Sequence, residues 1–135
     1  RSLALDGAGN LYVAGHSRST EESFPVAVGP DLTYNGGDAD SGDGNDAIQG
    51  MAGNDVVHGG AGNDRIDGGD GDDTVNGDGG SDTIKGASDA DALSGGDGED
   101  ALDGRDGIGG NDGVDGGPGT DRCQVDAGDV LAGCP

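Results

Sequence analysis

The sequence predicts an all-β protein in which short parallel strands stack into a solenoid, with a small antiparallel hairpin segment before it. From Asp46 to Asp100 an aspartate recurs every nine residues, and an aliphatic side chain follows each one two positions later, from Ile48 to Leu102. A fixed period that holds two residue classes in register is the signature of stacked repeats. Glycine supplies 33 residues and aromatic residues only 2% of the chain, so a conventional globular core is excluded over most of its length.

Residues 1–37 differ in composition from the rest, because large apolar side chains are concentrated there, namely Leu3, Leu5, Leu11, Tyr12, Val13, Phe24, Val26 and Val28. The stretch SLALDGAGNLYVAG is typical of a strand, a Gly/Asn turn and a second strand, and the FPV and TYNGG segments are expected to complete a small antiparallel motif. The segment resembles one SBBP-type β-propeller repeat. The residues that carry this resemblance are Asp6, Gly9, Asn10, Tyr12, Val13, Gly15, Ser19, Phe24, Pro25, Tyr34, Asn35, Gly36 and Gly37.

A single propeller blade is not a stable fold, because an isolated hairpin is marginal in water. We therefore expect residues 1–37 to be either the end of a longer propeller or an amino-terminal cap on the solenoid, and we favour the truncated propeller. The first residue is Arg1, which leads us to expect that a propeller or a catalytic domain precedes this segment and is covalently linked to it.

The following residues divide into nonapeptides that start at residue 41 and follow the consensus GGxGxDxUx, where U is aliphatic. Glycines at positions one, two and four permit a tight turn and leave backbone carbonyls exposed. The aspartate closes the turn, and a three-residue strand with one inward aliphatic side chain follows it. An eighth unit keeps Asp112 and Val114 if residues 108–110 are an insertion, and a ninth returns to register at Asp121.

Stacking these coils creates an electrostatic conflict that a cation resolves. Successive strands lie about 4.8 Å apart, so the aspartates line up and repel one another. Calcium takes six to eight oxygen ligands from carboxylates and carbonyls in tolerant geometry, whereas magnesium demands a stricter octahedron. Zinc and copper prefer nitrogen and sulfur, and the chain has only two His and two Cys. We therefore predict that several Ca²⁺ ions bind.

Residues 41–124 resemble the RTX (repeats-in-toxin) calcium-binding nonapeptide family. The resemblance implies a right-handed, β-helix-like parallel β-roll over residues 38–124, with two nonapeptides per coil, so that alternate units stack on the same side. It also implies that calcium lies between stacked loops and is bound by position-six aspartates and by carbonyls of the first four loop positions.

The predicted metal-binding residues follow from this resemblance, unit by unit. They are Asp46, Asp55, Gly59, Gly60, Ala61, Gly62, Asp64, Gly68, Gly69, Asp70, Gly71, Asp73, Gly77, Gly79, Gly80, Asp82, Asp91, Gly95, Gly96, Asp97, Gly98 and Asp100. Ser41, Met51 and Asp89 replace consensus glycines, so their loops are expected to bind more weakly. We expect the fold to survive at Asp89, because aspartate tolerates the left-handed region. The insertion at 108–110 argues against a regular site there.

Residues 125–135 are expected to form a carboxy-terminal cap that contains Cys134, while Cys123 lies in the last unit. A disulfide between them would stabilise the end by about 3 kcal/mol in an oxidising compartment. In the alternative, both thiols are reduced and Cys123 fills the inward aliphatic slot of its unit.

The charge balance restricts the partners that the chain can have. With 28 acidic and six basic residues the formal charge is −22, which disfavours nucleic acid and anionic membranes. No stretch approaches the roughly 20 apolar residues of a membrane span, so no membrane insertion is expected.

The motifs that would indicate an enzyme are missing or incomplete. GHSRS at 15–19 lacks the final glycine of a GxSxG elbow and the helix that should follow it, and there is no HExxH. His16 and His58 are isolated, and we expect His58 to face solvent. An EF-hand is excluded because no twelve-residue loop has its ligand spacing. We expect no enzymatic activity from this chain.

Four functional interpretations follow. The first is a non-catalytic module, secreted or at the cell surface, that folds when it binds extracellular calcium. The second is an adhesion scaffold, although outward positions seven and nine show no uniform row along the units. The third is the folding aid of an enzyme whose catalytic part lies upstream. Acidic disorder without calcium binding is the fourth, and the aliphatic register argues against it.

Overall fold

The structure is a computed structural model that describes residues 41–135 in full and, before them, the backbone of four strands at 2–5, 11–14, 32–33 and 37–40. All fourteen elements of the described residues are β-strands. They are β1 Ser2–Leu5, β2 Leu11–Ala14, β3 Leu32–Thr33, β4 Gly37–Asp40, β5 Ala47–Ala52, β6 Asp55–His58, β7 Arg65–Asp70, β8 Thr74–Asn76, β9 Thr83–Ser88, β10 Ala92–Ser94, β11 Ala101–Asp103, β12 Gly113–Asp115, β13 Arg122–Gln124 and β14 Val130–Ala132. No helix of the described residues is long and apolar enough to cross a membrane.

Twelve of the strands form two parallel six-stranded sheets, and consecutive strands alternate between them. Sheet one has the order β3-β5-β7-β9-β11-β13, and sheet two has the order β4-β6-β8-β10-β12-β14. Two nonapeptides therefore make one coil, which confirms the predicted parallel β-solenoid.

The hydrophobic core is a column of single aliphatic side chains between the two sheets. In sheet one the aliphatic residues in register are Ile48, Ile66, Ile84 and Leu102. In sheet two they are Val57, Val75, Leu93 and Val114. All eight are at most 2% exposed. One inward residue per strand buries little apolar surface for the number of residues that must be ordered, so the sequence leaves much of the stability to other interactions.

The insertion at 108–110 lengthens one coil without disturbing the register. Leu93 of β10 still pairs with Val114 of β12, although they are 21 residues apart, and Leu102 likewise pairs with Cys123. The extra residues are therefore accommodated outside the ladder, as the sequence predicted for a loop insertion.

Strand pairing extends beyond both ends of the predicted range 38–124. At the carboxy-terminal end, Leu131 of β14 pairs with Val114, and Asp129 stands two positions before it. Residues 125–132 are thus a tenth unit that is one residue short, within the stretch that was predicted to be only a cap. At the other end, β3 pairs with β5 and β4 pairs with β6, both in parallel.

The hairpin predicted near the amino terminus is present. β1 and β2 are antiparallel, with Leu5 opposite Leu11. The TYNGG segment was predicted to belong to the antiparallel motif, but its two described residues do not. Thr33 lies in β3 and Gly37 in β4, and both strands join parallel ladders. The FPV and GHSRS segments and His16 lie outside the described residues, and the propeller resemblance stays a prediction.

A disulfide joins Cys123 and Cys134, with their Cα atoms 6.0 Å apart. Cys123 is partly buried and packs against the core, so it both occupies the inward slot and forms the bridge. The alternative of two reduced thiols is not what the structure contains.

Candidate metal centre

The position-six aspartates form two ladders of buried carboxylates, one on each side of the solenoid. The first loop stack consists of loops 41–46, 59–64, 77–82, 95–100 and 116–121. The second loop stack consists of loops 50–55, 68–73, 86–91 and 104–112. Because units alternate between the sheets, aspartates nine residues apart in sequence lie in opposite stacks. The buried aspartates are Asp46, Asp55, Asp64, Asp73, Asp82, Asp91, Asp100, Asp112 and Asp121, each at most 8% exposed.

One carboxylate oxygen of these aspartates holds neighbouring coils together. The backbone N–H of Asp46 donates to Oδ1 of Asp64 at 2.8 Å, and that of Asp64 donates to Oδ1 of Asp82 at 2.8 Å. The pattern continues along both stacks at 2.8–3.0 Å. This contact explains why position six needs a short side chain with an oxygen acceptor even before any ion is considered.

The other carboxylate oxygen is buried without a hydrogen-bond partner in most of these residues. The unpartnered Oδ2 atoms belong to Asp46, Asp55, Asp64, Asp73, Asp82, Asp100, Asp112 and Asp121. A buried carboxylate oxygen without a partner is costly. Its repetition in eight aspartates points to a common cationic partner rather than to eight independent defects.

Six position-one glycines leave room for oxygen atoms from two successive loops, and they are Gly50, Gly59, Gly68, Gly77, Gly95 and Gly116. A Cβ at Gly59 would lie 2.7 Å from Oδ2 of Asp64 and 2.8 Å from the carbonyl oxygen of Gly77. At Gly116 it would lie 2.7 Å from Oδ2 of Asp121 and 2.8 Å from the carbonyl oxygen of Gly133. The absence of a side chain therefore creates a small cradle in which carboxylate and carbonyl oxygens converge.

The carbonyls at positions two and three are used in hydrogen bonds between loops of the first stack. Gly79 N–H donates to the carbonyl of Gly60 at 2.9 Å, and Gly62 N–H donates to that of Gly79 at 2.7 Å. The carbonyls of Ala61 and Asp97 accept comparable bonds in the first stack, and that of Asp70 accepts one from Gly53 N–H in the second. The structure thus brings Asp Oδ2 together with position-one carbonyls, while these position-two and position-three carbonyls keep only their second lone pair for another partner.

A second polar ladder, which the sequence analysis treated as unspecified, runs along position five. Oδ1 of Asn45 accepts from Asn63 N–H at 2.8 Å, and Oδ1 of Asn63 accepts from Ser81 N–H at 2.9 Å. Asn54 and Asp72 do the same in the second stack. The signal was present in the sequence, because Asn, Asp or Ser occupies position five in the first five units.

Burial and neighbouring charge raise the pKa of several ladder aspartates. Burial is the largest cause for Asp82, and the charges of Asp100, Asp64 and Asp78 add to it, so that its pKa rises to about 6 against the lowering effect of the Asp64 N–H. Burial, with Asp73, Asp112 and Asp106, raises the pKa of Asp91 to about 7. The pKa values of Asp64, Asp73, Asp100 and Asp112 also rise, again chiefly through burial. A cation in the ladder would favour the charged forms.

The carboxylates of the tenth unit are satisfied differently. Oδ1 of Asp129 accepts from Gly110 N–H at 2.6 Å, and its Oδ2 accepts from Asp126 N–H at 2.7 Å. Partial burial raises the pKa of Asp129, but these N–H donors and that of Asp112 outweigh it and lower the pKa overall. Oδ2 of Asp126 in turn accepts from Asp106 and Gly107. Protein donors, rather than an ion, stabilise this end.

His58 is exposed, as expected, and its Nδ1 lies 3.1 Å from Oδ2 of Asp78. Among the described residues, no three His, Cys, Asp or Glu side chains come together as a metal-binding cluster. Each loop contributes one position-six carboxylate to its ladder. Any ion between loops therefore needs carbonyl oxygens to complete its coordination.

The donor set fits calcium. It consists of carboxylate and carbonyl oxygens, which calcium accepts in flexible geometry. The unpartnered Oδ2 atoms belong to this set, and they converge with carbonyl oxygens at the glycine cradles. When bound, the ion would provide positive charge between the stacked carboxylates.

Comparison with known families agrees with this chemistry. The family model described as RTX calcium-binding nonapeptide repeat (4 copies) matches residues 40–75 and 76–108, together just over half of the chain. No curated protein and no solved structure matches the chain significantly. The matched repeats are typical of secreted proteins and of non-catalytic modules. The chain belongs to the family of RTX calcium-binding nonapeptide repeat proteins.

Proposed function

We propose that the chain is a non-catalytic, extracellular module whose solenoid folds as several calcium ions bind between stacked loops. The observation that carries this proposal is the row of buried aspartate Oδ2 atoms without partners. In this role Asp64, Asp82 and Asp100 would supply carboxylate oxygens in the first stack, and the carbonyls of Gly77 and Gly95 would supply neutral ones. The other position-six aspartates and position-one carbonyls of the predicted set would serve in equivalent positions. The predicted residues at positions two to four would contribute backbone carbonyls only.

Folding and ion binding are coupled because the calcium-free ladder opposes its own assembly. Six ladder aspartates have raised pKa values with burial as the main cause, so burying them charged costs free energy. The apolar column contains only eight buried residues, which leaves little to offset that cost. Binding free energy in such a chain becomes folding free energy.

The two loop stacks should differ in affinity. The second stack places three non-glycine residues, Met51, Ala87 and Asp89, at positive φ values of 83°, 91° and 73°, a region that side chains enter at a cost. It also contains the insertion at 108–110. Among residues 41–121 the first stack has only Asp78 at positive φ without being glycine. The first stack is therefore expected to bind calcium more tightly.

Extracellular calcium modules bind in the range of about 0.1 to 1 mM. A module in this range stays unfolded where calcium is scarce and folds where it is abundant, as mass action requires. The disulfide at 123–134 suits the same oxidising setting.

Equilibrium dialysis of the full chain against calcium, with magnesium as the control, tests this function. We expect more than one calcium ion per chain with half-saturation near the extracellular range, and little binding of magnesium at equal concentration. Binding of no calcium, or equal binding of both ions, would contradict the proposal.

A further inference from the structure

The outer faces of the two sheets differ in charge, which becomes visible only when side chains are compared every coil rather than every unit. On sheet one the two outward rows are Ala47, Arg65, Thr83, Ala101, Arg122 and Gln49, Asp67, Lys85, Asp103, Gln124. On sheet two, from β6 onward, they are Val56, Thr74, Ala92, Gly113, Val130 and His58, Asn76, Ser94, Asp115, Ala132. The outer face of sheet two carries no Lys or Arg in this region.

The basic residues of the fully described region all lie at sheet one. Arg65, Lys85 and Arg122 point outward from β7, β9 and β13, and Arg105 follows β11 by two residues. The outward rows of sheet one thus carry three cations, Arg65, Lys85 and Arg122, against two carboxylates, Asp67 and Asp103. In a chain with a formal charge of −22, this face has a small local excess of positive charge.

Three of these cations are available to a ligand. Arg105 is already bound to Asp103, with Nε–Oδ1 and Nη2–Oδ2 distances of 2.8 Å each. Within residues 41–135 the only other ion pair is that of His58 and Asp78. Arg65, Lys85 and Arg122 are exposed and form no direct ion pair in the described structure. Lys85 lies between Asp67 and Asp103 in the register and, after Arg105, helps to lower the pKa of the Asp103 carboxyl, so Arg65 and Arg122 are the less compensated cations.

The same face has a shallow groove of about 230 Å³, with Arg65, Asp67, Thr83, Lys85, Ala101 and Gln124 among its lining residues. The small Ala101 lies between Thr83 and Arg122 in the register, which leaves a depression between the larger side chains. Thr83, Gln124 and Asp67 add hydrogen-bonding groups between the cations.

We propose that this groove binds a linear acidic oligosaccharide that lies along the solenoid axis. Arg65 and Arg122 are three strands apart, about 14 Å at the usual strand spacing, so anionic groups repeated along a chain can meet Arg65, Lys85 and Arg122 in turn. Hydroxyl groups between them can donate to Asp67 and bond to Thr83 and Gln124. This site is separate from the loop stacks and goes beyond calcium binding.

The chemistry of the face favours this occupant over others. Neutral sugars commonly stack on aromatic rings, and the three aromatic residues of the chain, Tyr12, Phe24 and Tyr34, all precede residue 41. A nucleic acid duplex carries about one charge per 1.7 Å of its axis, a charge density that three cations spread over about 14 Å cannot match. An acidic peptide is the remaining competitor. Its backbone N–H groups can also donate to Asp67, but it offers fewer donors between its charges than the hydroxyl groups of a sugar ring do, and the test below separates the two.

The proposal rests on the solenoid being folded, so the test uses the calcium-saturated full chain. ¹⁵N-labelled protein is titrated with trigalacturonate, with maltotriose as the neutral control and triglutamate as the peptide control, at constant free calcium and about 0.15 M salt. We expect amide shift changes in β7, β9, β11 and β13 with trigalacturonate, none with maltotriose and weaker ones with triglutamate.

Substitutions then locate the charges. Exposed ion pairs contribute about two- to fivefold each to affinity, so Arg65→Gln, Lys85→Gln and Arg122→Gln together should weaken trigalacturonate binding at least about eightfold. The matched control, Thr74→Glu, Ala92→Glu and Val130→Glu, makes the same change of net charge on sheet two, more than a screening length of about 8 Å away. It should leave the affinity within about twofold of the parent chain.

Three results would overturn the proposal: no shifts on sheet one, an equal loss of affinity in both variants, or equal binding of triglutamate. The shift map of the unsubstituted chain does not depend on how the variants fold, and calcium-dependent circular dichroism checks each variant. If the parent chain fails to fold with calcium, that failure is seen before any sugar is added and refers to the proposed function instead.

Discussion

The backbone N–H of Asp64 donates to Oδ1 of Asp82 at 2.8 Å, while Oδ2 of the same carboxylate is buried without a partner. The Asp82 side chain thus has two roles: its Oδ1 accepts a hydrogen bond from the neighbouring coil, and its Oδ2 is an unpartnered oxygen between loops. The two roles can be separated by substitution.

Asp82→Asn should have opposite effects with and without calcium. The amide keeps an Oδ1 acceptor for Asp64 N–H but replaces the anionic Oδ2 with an NH₂ group. Losing one charged interaction should lower the free energy of unfolding of the calcium-loaded chain by about 1.5 to 3 kcal/mol. The calcium-free chain should become no less ordered, because a buried charge has been removed. Urea unfolding in saturating calcium and circular dichroism in chelator measure the two effects.

The control for this variant is Asp97→Asn, which removes the same charge from an exposed side chain of the next loop and leaves its carbonyl in place. It should change the unfolding free energy by about 0.5 kcal/mol or less. Equal losses in the two variants would show that net charge, and not the ladder oxygen, determines the effect.

Gly59→Ala should close one cradle. Its Cβ would lie within 2.8 Å of both Asp64 Oδ2 and the Gly77 carbonyl oxygen, so the oxygens must separate and calcium should bind there more weakly. Gly79→Ala is the matched control, because neither glycine has a positive φ and nothing lies nearer than 4.0 Å to a Cβ at Gly79. Calcium titration calorimetry should show reduced stoichiometry or affinity for Gly59→Ala alone. A similar loss in Gly79→Ala would argue against the cradle.

Acidification should favour the calcium-free fold. The pKa values of Asp82 and Asp91 rise to about 6 and about 7 in the folded chain, against about 3.9 for an unfolded aspartate. The folded state therefore binds more protons between about pH 4 and 7, and this contribution to stability is complete below pH 4 and lost as the pH rises through 6 to 7. In chelator, the β signal should be larger at pH 4.5 than at pH 8.

Calcium affinity should depend on pH in the opposite direction, because the same carboxylates must lose their protons to bind the ion. The calcium concentration at half-saturation should rise as the pH falls from 8 to 5. A pH-independent midpoint would mean that the ladder carboxylates with raised pKa values are not ligands.

Reduction of the Cys123–Cys134 disulfide should destabilise the carboxy-terminal end. The bridge closes a loop with a sequence separation of 11, for which the entropy model gives about 3 kcal/mol. Urea unfolding in saturating calcium, with and without dithiothreitol, measures the loss. The Cys123→Ser, Cys134→Ser variant should be as unstable as the reduced parent and should not respond to the reductant.

The repeat period was sufficient to predict the fold, because one inward aliphatic every nine residues leaves few alternatives to stacked coils. Ile66 and Val75 show why: both are buried, yet in different sheets. The tenth unit was missed because it is one residue shorter than the others before Asp129, which breaks the nine-residue period. The role of Asn63 was missed because its hydrogen-bond partner lies 18 positions away, so the recurrence of Asn, Asp or Ser at position five was the only trace of it in the sequence.

The cationic groove was also hidden in the sequence. When position seven is compared in successive units, nine residues apart, Arg65, Thr74 and Thr83 form one mixed row. In the structure, Arg65 and Thr83 lie on the outer face of sheet one, and Thr74 lies on that of sheet two. The two-unit coil separates side chains that the simple period combines. The exact ligand set of each ion cannot be read from the sequence, since backbone carbonyl directions depend on how the loops stack.

The most direct test of calcium-driven folding is far-UV circular dichroism during a calcium titration of the full chain, with magnesium as the control and an Asp64→Ala, Asp82→Ala double variant in parallel. We predict a cooperative gain of β signal that is selective for calcium and that requires more calcium in the variant. A spectrum that stays disordered at about 10 mM calcium, well above the range of extracellular modules, or that responds equally to magnesium, would contradict the account.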